Sequence, residues 1–434
     1  MIAGIVSGIL SGKNAKRLTM FVVTAVMVMS IALLVYVSHT GESFVYWMGH
    51  HEAPWGNEIR AGVLEALMAL FFSVIMFLSL VGGMKQIFED IEETKLNLYF
   101  ILVDLLLASL LALVYTNDLF TGYVFIEINT IAACGLIMSK QNGRTMVAST
   151  KYMVMSLLGS GLTLISITLL YDVTGHLLMS NIKESVQAIE VAGRFTEPLS
   201  IIIGLFAVGL AIKSALFPFH TWLPDAYGNS TSASAAMLSS LVSKGYIFLF
   251  IKIIYRVIGF DIIVSYRVMN VLFIFGLAGM ILGSVRALAT NDVRRMIAFS
   301  SVAQIGYIYM GIGLGTKYGI YAAVFHVLSH AASKSLLFIA ANGLSLASDN
   351  SKLFKDLKGA GFRNKIAGFG FMVGSLSMVG IPLFAGFISK LNFAEASILS
   401  PSKMIPTLIC LAISTVLNAM YFVRAVIVLY TPVD

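Results

Sequence analysis

Seven charged side chains lie inside long apolar runs of this sequence. These residues are Asp104, Glu127, Lys213, Lys244, Lys252, Lys334 and Lys390. A charge at the centre of a bilayer costs about 2.5–3.5 kcal/mol on insertion scales, so such residues are rare in membrane segments and usually functional. Several intramembrane lysines on successive helices are hard to explain by packing. They favour a hydrated path for ions.

Two of these lysines lie close to prolines that interrupt an apolar run. Lys213 precedes Pro218, and Lys390 follows Pro382 by about two helical turns. Broken helices expose backbone carbonyls at membrane depth, which is tolerated only where they line protein or a water-filled cavity. A desolvated lysine at such a break can exchange its proton, whereas an arginine cannot. Two breaks in corresponding positions predict inverted repeats that meet at mid-membrane.

His326, His330 and Lys334 recur every four residues and therefore share one face of a helix. Histidine titrates near neutral pH, so this face suits a proton relay. Two other interpretations are a hydrogen-bonded interior face and a metal site. No thiolate or carboxylate lies nearby in the sequence, and Lys334 would repel a cation, which disfavours the metal site.

Two of the charged residues have a structural interpretation that is equally good. Lys252 is close enough to a helix end to extend its ammonium towards the membrane surface. Asp104 could belong to a satisfied structural pair. Both are therefore kept as accessory candidates for ion translocation, together with His326.

The composition of the chain is that of a membrane protein. Of its 434 residues, 58% are hydrophobic and 12% charged, whereas a soluble domain has roughly half and a quarter. Apolar runs of about 20 residues, long enough to cross the hydrocarbon, recur from end to end. They lie near 19–38, 62–82, 97–115, 119–138, 150–171, 199–216, 231–255, 267–285, 294–314, 318–343, 366–399 and 405–430, preceded by a shorter stretch at 2–11. The sequence predicts an all-α bundle of about thirteen transmembrane helices.

This bundle forms a single membrane domain, 1–434, within which two five-helix inverted repeats are predicted at 97–255 and 267–430. With the N-terminus outside, most basic loop residues fall on the inner side. The inner set is Lys13, Lys16, Arg17, Lys85, Lys95, Lys140, Arg144, Lys151, Arg286, Arg294, Arg295, Lys352, Lys355, Lys358, Arg363 and Lys365; the outer set is Arg60, Lys183, Arg194, Arg256, Arg267, Lys317 and Lys403. The positive-inside rule thus predicts a multi-pass cell-membrane protein with a cytoplasmic C-terminus.

Several other classes of site are disfavoured. Cys134 and Cys410 are far apart, so they form no CxxC redox or metal motif. No GxxxxGK or GxGxxG phosphate loop is present. The net charge of +7 belongs to the loops, without the basic stripe and interleaved aromatic residues of a nucleic-acid partner. We therefore expect no cofactor, no metal and no nucleic acid.

Five motifs together resemble one family of membrane subunits. They are NDLFTGYVFIE at 117–127, KSALFPFHTWLPDAY at 213–227 with SSLVSKGY at 239–246, NDVRRMIAFSSVAQIGY at 291–307, FHVLSHAASK at 325–334 and GIPLFAGFISK at 380–390. The family comprises the large subunits of Mrp-type cation/proton antiporters, the antiporter-like subunits of respiratory complex I, and their relatives in energy-converting membrane hydrogenases. The resemblance extends from about residue 97 to 395.

The resemblance implies a role for each buried charge. Glu127 would pair with Lys213 at the first broken helix, and changes in neighbouring subunits would toggle that pair. Lys244 would pass protons to the centre, and Lys390 would be the lysine on the exit side. The line between them would consist of His330 and Lys334. His220, within the 213–227 motif, is a further accessory candidate.

The resemblance also implies partners. The chain would transport protons, or sodium ions and protons, within a lipid bilayer as one of several membrane subunits, with any redox centre in a partner. It departs from the family at its ends, because members usually carry fourteen helices and some complex I members have a long lateral helix with no counterpart here. The alternative functions are a non-conducting membrane scaffold, a subunit that binds quinone or flavin directly, and a stand-alone transporter.

Overall fold

The computed structural model describes residues 1–53, 55–193 and 196–432, and Arg194 of the predicted outer loops lies outside them. In these ranges, eleven helices are long and apolar enough to cross a membrane. The predicted all-α membrane bundle is therefore confirmed. Several of its helices begin where a polar side chain accepts a hydrogen bond from the first turn, as Asp118 does from the backbone N–H of Thr121 and Asn142 does from that of Thr145.

The first part of the chain contains three helices and a small hairpin. They are α1 (Ile2–Ile9), α2 (Gly12–Thr40), β1 (Phe44–Trp47), β2 (Glu58–Ala61) and α3 (Val63–Asp90). The two strands pair antiparallel, with Phe44 opposite Ala61 and Trp47 opposite Glu58. Helix α1 has 8 residues, a length of about 12 Å. The apolar stretch at 2–11, which was predicted as one of the thirteen transmembrane helices, thus forms a helix too short to span the hydrocarbon.

The described residues in the middle of the chain form five spans and two short helices outside them. Its elements are α4 (Leu96–Tyr115), α5 (Leu119–Met138), α6 (Gly143–Thr174), α7 (Met179–Val191), α8 (Thr196–Ser214), α9 (Leu223–Asn229), α10 (Ser232–Met237), α11 (Ser243–Lys252) and α12 (Phe260–Ser265). A 3₁₀ turn, Phe219–Trp222, leads into α9, so α8 and α9 are two parts of one interrupted span. Two π-helical segments, Leu238–Val242 and Ile253–Ile258, flank α11 within the next span.

The last part repeats this order of long helices. Its elements are α13 (Val268–Leu288), α14 (Val293–Gly313), α15 (Lys317–Leu346), α16 (Ala360–Arg363), α17 (Lys365–Val379), α18 (Ala385–Ile398) and α19 (Pro401–Leu429). Helices α17 and α18 are the two parts of the second interrupted span. The ranges 97–255 and 267–430 therefore each contain one broken helix. The inverted relation between these ranges stays a prediction.

Both interruptions force the backbone into an uncommon conformation. Ala215 has a φ of 63° just after α8, and Leu383 has a φ of 83° just before α18. Non-glycine residues rarely adopt positive φ, and when they do they are often held there at functional sites. Both breaks lie where a proline and an intramembrane lysine coincide in the sequence, as predicted.

Helices α13 and α14 pack backbone against backbone along a row of small residues. A Cβ atom at Gly276 would lie 2.5 Å from the backbone nitrogen of Met310, and one at Gly283 would lie 2.6 Å from that of Ala303. Only glycine permits this approach, which is the usual role of small residues between membrane helices. Gly279 and Gly283, four residues apart on one face of α13, both take part in this contact. Helix α14 is thereby held firmly in the interior, where most of its residues are buried.

Candidate functional site

The first buried pair joins α5 to the end of α8. The Nζ atom of Lys213 lies 3.8 Å from Oε1 of Glu127, and it donates a hydrogen bond of 2.9 Å to Oγ1 of Thr130. Lys213 is fully buried, whereas the Glu127 side chain is 26% exposed. No hydrogen bond reaches Oε1 of Glu127 within the described residues. The pair is therefore close but loosely held.

The surroundings of Lys213 are shaped to receive its side chain. Gly159 on α6 leaves space for it, because a Cβ atom there would lie 2.9 Å from Cγ of Lys213. The ring of Tyr246 lies 5.2 Å from the Lys213 ammonium, a distance at which a cation is attracted to an aromatic face. The hydroxyl of Tyr246 donates to Asn129, whose amide donates to Ser109, each over 2.9 Å. The sequence did not predict this uncharged network around the Glu127–Lys213 pair.

Lys244 lies in the first turn of α11, directly after a π-helical segment. Its Nζ atom donates to the backbone carbonyl of Ser239 over 2.5 Å and to Oγ of Ser243 over 3.1 Å. Insertions of π-helix are frequent at functional sites because they leave carbonyls available to side chains. The ammonium is fully buried, so these two oxygens take the place of water.

Serines on α14 lie between Lys244 and the next lysine. The hydroxyls of Ser239 and Ser301 are 3.3 Å apart. Lys334 on α15 donates to Ser300 and, over 2.8 Å, to the carbonyl of Ile297. Within the described ranges neither Lys244 nor Lys334 has a carboxylate within 4 Å. Polar contacts of Ser239, Ser301 and Ile297 thus lie between Lys244 and Lys334 and connect the two halves of the bundle.

The two histidines on α15 lie together, as their spacing predicts. Their ring centroids are 5.8 Å apart, and the planes of the two rings are nearly parallel. Nδ1 of His326 lies 2.6 Å from Oγ of Ser389, while neither ring nitrogen of His330 has a hydrogen-bond partner in the described part of the chain. His326 therefore connects α15 to the residue that precedes Lys390.

Lys390 lies in the first half of α18, beside the second break. Its Nζ atom donates to the carbonyl of Val379 over 2.5 Å and to Oγ1 of Thr415 over 3.1 Å. Gly380 provides the space, because a Cβ atom there would lie 3.0–3.2 Å from the end of the Lys390 side chain. The Tyr307 ring of α14 lies 5.9 Å from the ammonium. Lys213 and Lys390 thus occupy similar places beside the two breaks.

The accessory candidates lie in different surroundings. Asp104 faces α1 and α2, where its Oδ2 accepts hydrogen bonds from Ser7 and Thr19 over 3.2 and 3.1 Å. The His220 ring stacks on Phe217 at 5.5 Å, within the first break. Neither residue makes a hydrogen bond to the other proposed site residues within the described ranges.

Lys252 binds the end of another helix. It donates to the carbonyls of Leu113, Val114 and Thr116 at the C-terminus of α4, the bond to Val114 measuring 2.9 Å. Carbonyls in the last turn of a helix lack partners within it, and a cation there also complements the helix dipole. This geometry favours a structural role for Lys252.

We expect Lys252→Met to destabilise the protein without stopping transport. The substitution leaves buried carbonyls without a donor, at a cost of about 1–3 kcal/mol. Thermal denaturation of the extracted protein should shift to lower temperature, while the transport rate per assembled complex stays within about twofold of the parent. Loss of transport in a normally stable protein would instead place Lys252 in the ion path.

The comparisons with known proteins agree with this geometry. The transmembrane family described as NADH:quinone oxidoreductase/Mrp antiporter matches residues 116–417, which include all six residues proposed from sequence for proton translocation. This chain belongs to that family. NADH-quinone oxidoreductase subunit N of Desulforudis audaxviator is 32% identical over 391 residues, covering 89% of this chain and 75% of the relative. A Na⁺/H⁺ antiporter subunit of Alkalihalophilus pseudofirmus is 27% identical, covering 89% and 76%.

Two solved structures have the same architecture. A chain of the membrane-bound sulfane sulfur reductase, an archaeal respiratory membrane complex, superposes with a TM-score of 0.89 at 26% identity, covering 99% of this chain and 87% of the other. A chain of the Mrp complex from Dietzia superposes with a TM-score of 0.88 at 24% identity, covering 100% and 79%. The second likeness concerns the fold alone. The family resemblance inferred from the five motifs is thus confirmed.

Proposed function

We propose that this chain translocates protons, or exchanges sodium ions for protons, as a membrane subunit of an Mrp-type antiporter or a complex I-like or hydrogenase-like assembly. One observation carries the proposal. Lysines lie inside membrane spans at both helix breaks and between them; Lys213, Lys244 and Lys334 are buried and Lys390 is part-buried. Within the described residues only Lys213 among these has a carboxylate close by. Buried charges without partners are expensive unless water or an ion path accounts for them.

The proposed path begins at Glu127 and Lys213 and continues through Lys244. His330 and Lys334 form its middle, and Lys390 forms its end. The contacts described above support this order, because the serines of α14 join Lys244 to Lys334 and His326 joins α15 to the neighbour of Lys390. Water molecules would complete the remaining gaps. Breaks at both ends of the path fit inverted repeats at 97–255 and 267–430.

Other membrane subunits complete the proposed unit. Glu127 shares one face of α5 with Phe120, Val124 and Ile131, whose exposures are 47%, 40% and 61%. A partly exposed carboxylate facing lipid would be costly, so this face suits contact with another subunit. We place the protein in the cell membrane, with its N-terminus outside and its C-terminus in the cytoplasm, on the basis of the basic loops.

Transport by the reconstituted complex tests the proposal. The complex would be extracted in mild detergent and placed in liposomes that contain a pH-sensitive dye. The flux would be started by the driving reaction of the complex or, if the complex has no such reaction, by an imposed sodium gradient. The parental complex should then produce a proton flux, and a complex carrying Lys334→Ala should not. Equal fluxes from the two complexes would favour the alternative function, a non-conducting scaffold. A flux that requires sodium ions would distinguish exchange from proton pumping.

A further inference from the structure

Half-helix α9, the second part of the first interrupted span, is held by two ion pairs at Asp225. One Asp225 oxygen lies 2.6 Å from Nζ of Lys151 on α6, and the other lies 2.8 Å from Nη2 of Arg295 on α14. Helices α6 and α9 both belong to the range 97–255, whereas α14 belongs to the range 267–430. The Arg295 pair therefore crosses between the two halves, and the Lys151 pair does not.

The C-terminus of α9 is bound by the second half as well. Arg294 donates to the carbonyls of Tyr227 and Ser230 over 3.2 and 2.7 Å, and Lys352 donates to that of Gly228 over 3.0 Å. These carbonyls have no partner within the helix, and a positive charge at a helix C-terminus is favourable. Arg294 is 1% exposed, so the contact is part of the interior.

Helix α14 also touches the other side of the same break. The hydroxyl of Tyr309 lies 2.7 Å from that of Ser214, the last residue of α8. Further along, α14 receives the hydrogen bonds of Lys334 at Ile297 and Ser300. One rigid helix, fixed against α13 by its glycine contacts, therefore contacts both ends of the break beside Lys213 and the ammonium of Lys334.

We propose that Arg295, through its pair with Asp225, is a positioning residue that couples movement of α9 to α14 and thereby connects the lysines of the two halves. The proposal rests on the proposed ion translocation. Any shift of α9 that accompanies a change at Lys213 would move Arg294 and Arg295 on α14. It would therefore also move the Ile297 carbonyl and the Ser300 hydroxyl, which bind Lys334. Contiguous packed elements such as α14 can carry energetic coupling between two sites.

Lys151 supplies a matched control, because it binds the same carboxylate and is similarly exposed. The Lys151 and Arg295 side chains are 53% and 49% exposed. Pairs this exposed add little to global stability, so neither Arg295→Gln nor Lys151→Gln should prevent folding or assembly. Only the first breaks the ion pair between the halves, whereas the contacts of Arg294 and Lys352 with α9 remain in both variants. Arg295→Lys keeps that ion pair.

The experiment measures transport and hydrogen exchange on the assembled complex. Arg295→Gln should lower the transport rate at least about fivefold, the lower end of typical coupling, and should speed amide exchange at residues 223–229. Lys151→Gln should stay within about twofold of the parent in rate, and Arg295→Lys should restore most of the loss. Equal behaviour of the two glutamine variants, or parental transport in Arg295→Gln, overturns the proposal.

The two proposals can fail separately. If the parental complex moves no protons, the proposed function is wrong, yet hydrogen exchange at α9 still shows whether Arg295 holds it. If the parent transports and Arg295→Gln transports equally well, only the coupling role is wrong. If Arg295→Gln fails to assemble, two further variants decide the case. One is the charge-conserving Arg295→Lys. The other is the double variant Arg295→Gln with Asp225→Asn, which removes both ion pairs and leaves no unpaired charge at position 225.

Discussion

Replacing Lys244 or Lys390 by arginine is expected to abolish transport in a complex that still assembles. Arginine keeps the positive charge but does not release its proton in proteins. The Lys244 ammonium lies beside a π-helical segment, and the Lys390 ammonium lies beside the second helix break. Both are bound by carbonyl and hydroxyl oxygens rather than by a carboxylate. Loss of one proton-transfer step should lower the rate about 100-fold or more, close to the level of the alanine variants.

Lys403→Arg is the matched control for these arginine variants. Lys403 is also partly buried and donates to a backbone carbonyl, that of Gly313, over 2.7 Å, but it lies outside the proposed path. Its substitution should leave transport near the parental rate. If Lys244→Arg and Lys390→Arg both transport normally, these positions supply charge rather than proton exchange. Amounts of assembled complex, measured for every variant, separate transport from folding.

The sequence was most informative where it breaks a physical rule. A lysine in an apolar run and a proline in a membrane helix are each costly, so their coincidence at Lys213 and Lys390 predicted both interrupted spans. The broken helices are present at these positions. The spacing of His326 and His330 predicted one shared face in the same way, because helical periodicity fixes which side chains are neighbours.

Uncharged polar residues gave no comparable signal. Asn129, Ser239, Ser300 and Ser301 cost little in a membrane helix, since such side chains can bond to the backbone of their own helix. Sequence periodicity therefore could not show that Asn129 lies near Lys213 or that the three serines lie between Lys244 and Lys334. Their role depends on which helices pack together, and that arrangement is a property of the whole bundle.

Contacts at helix ends could not be predicted from the sequence either. Lys252 resembled a residue that extends to the membrane surface, yet it reaches the last turn of α4, more than a hundred residues away in sequence. Arg294 and Lys352 bind the end of α9 in the same way. Unpaired carbonyls at helix ends are certain to exist, but the sequence does not say which distant cation will bind them.

Glu127→Gln and Lys213→Ala are each expected to abolish transport while the complex still assembles. At 3.8 Å, and with no hydrogen bond to Oε1 of Glu127 among the described residues, the pair can open without breaking a tight contact. Such a pair suits a switch, because small movements of either helix change its electrostatic energy strongly in a medium of low dielectric constant. Each variant should lower transport about 100-fold or more in reconstituted vesicles.

A second buried pair provides the contrast. Glu65 and Arg256 lie 2.6 Å apart, and Glu65 also accepts a hydrogen bond of 2.9 Å from the backbone of Gly62. This tight contact belongs to a structural ion pair, so Glu65→Gln should lower thermal stability, because breaking a buried pair leaves its partner uncompensated. Transport per assembled complex should remain. If Glu127→Gln instead behaves like Glu65→Gln, losing stability but not transport, the Glu127–Lys213 pair is structural and the path must begin elsewhere.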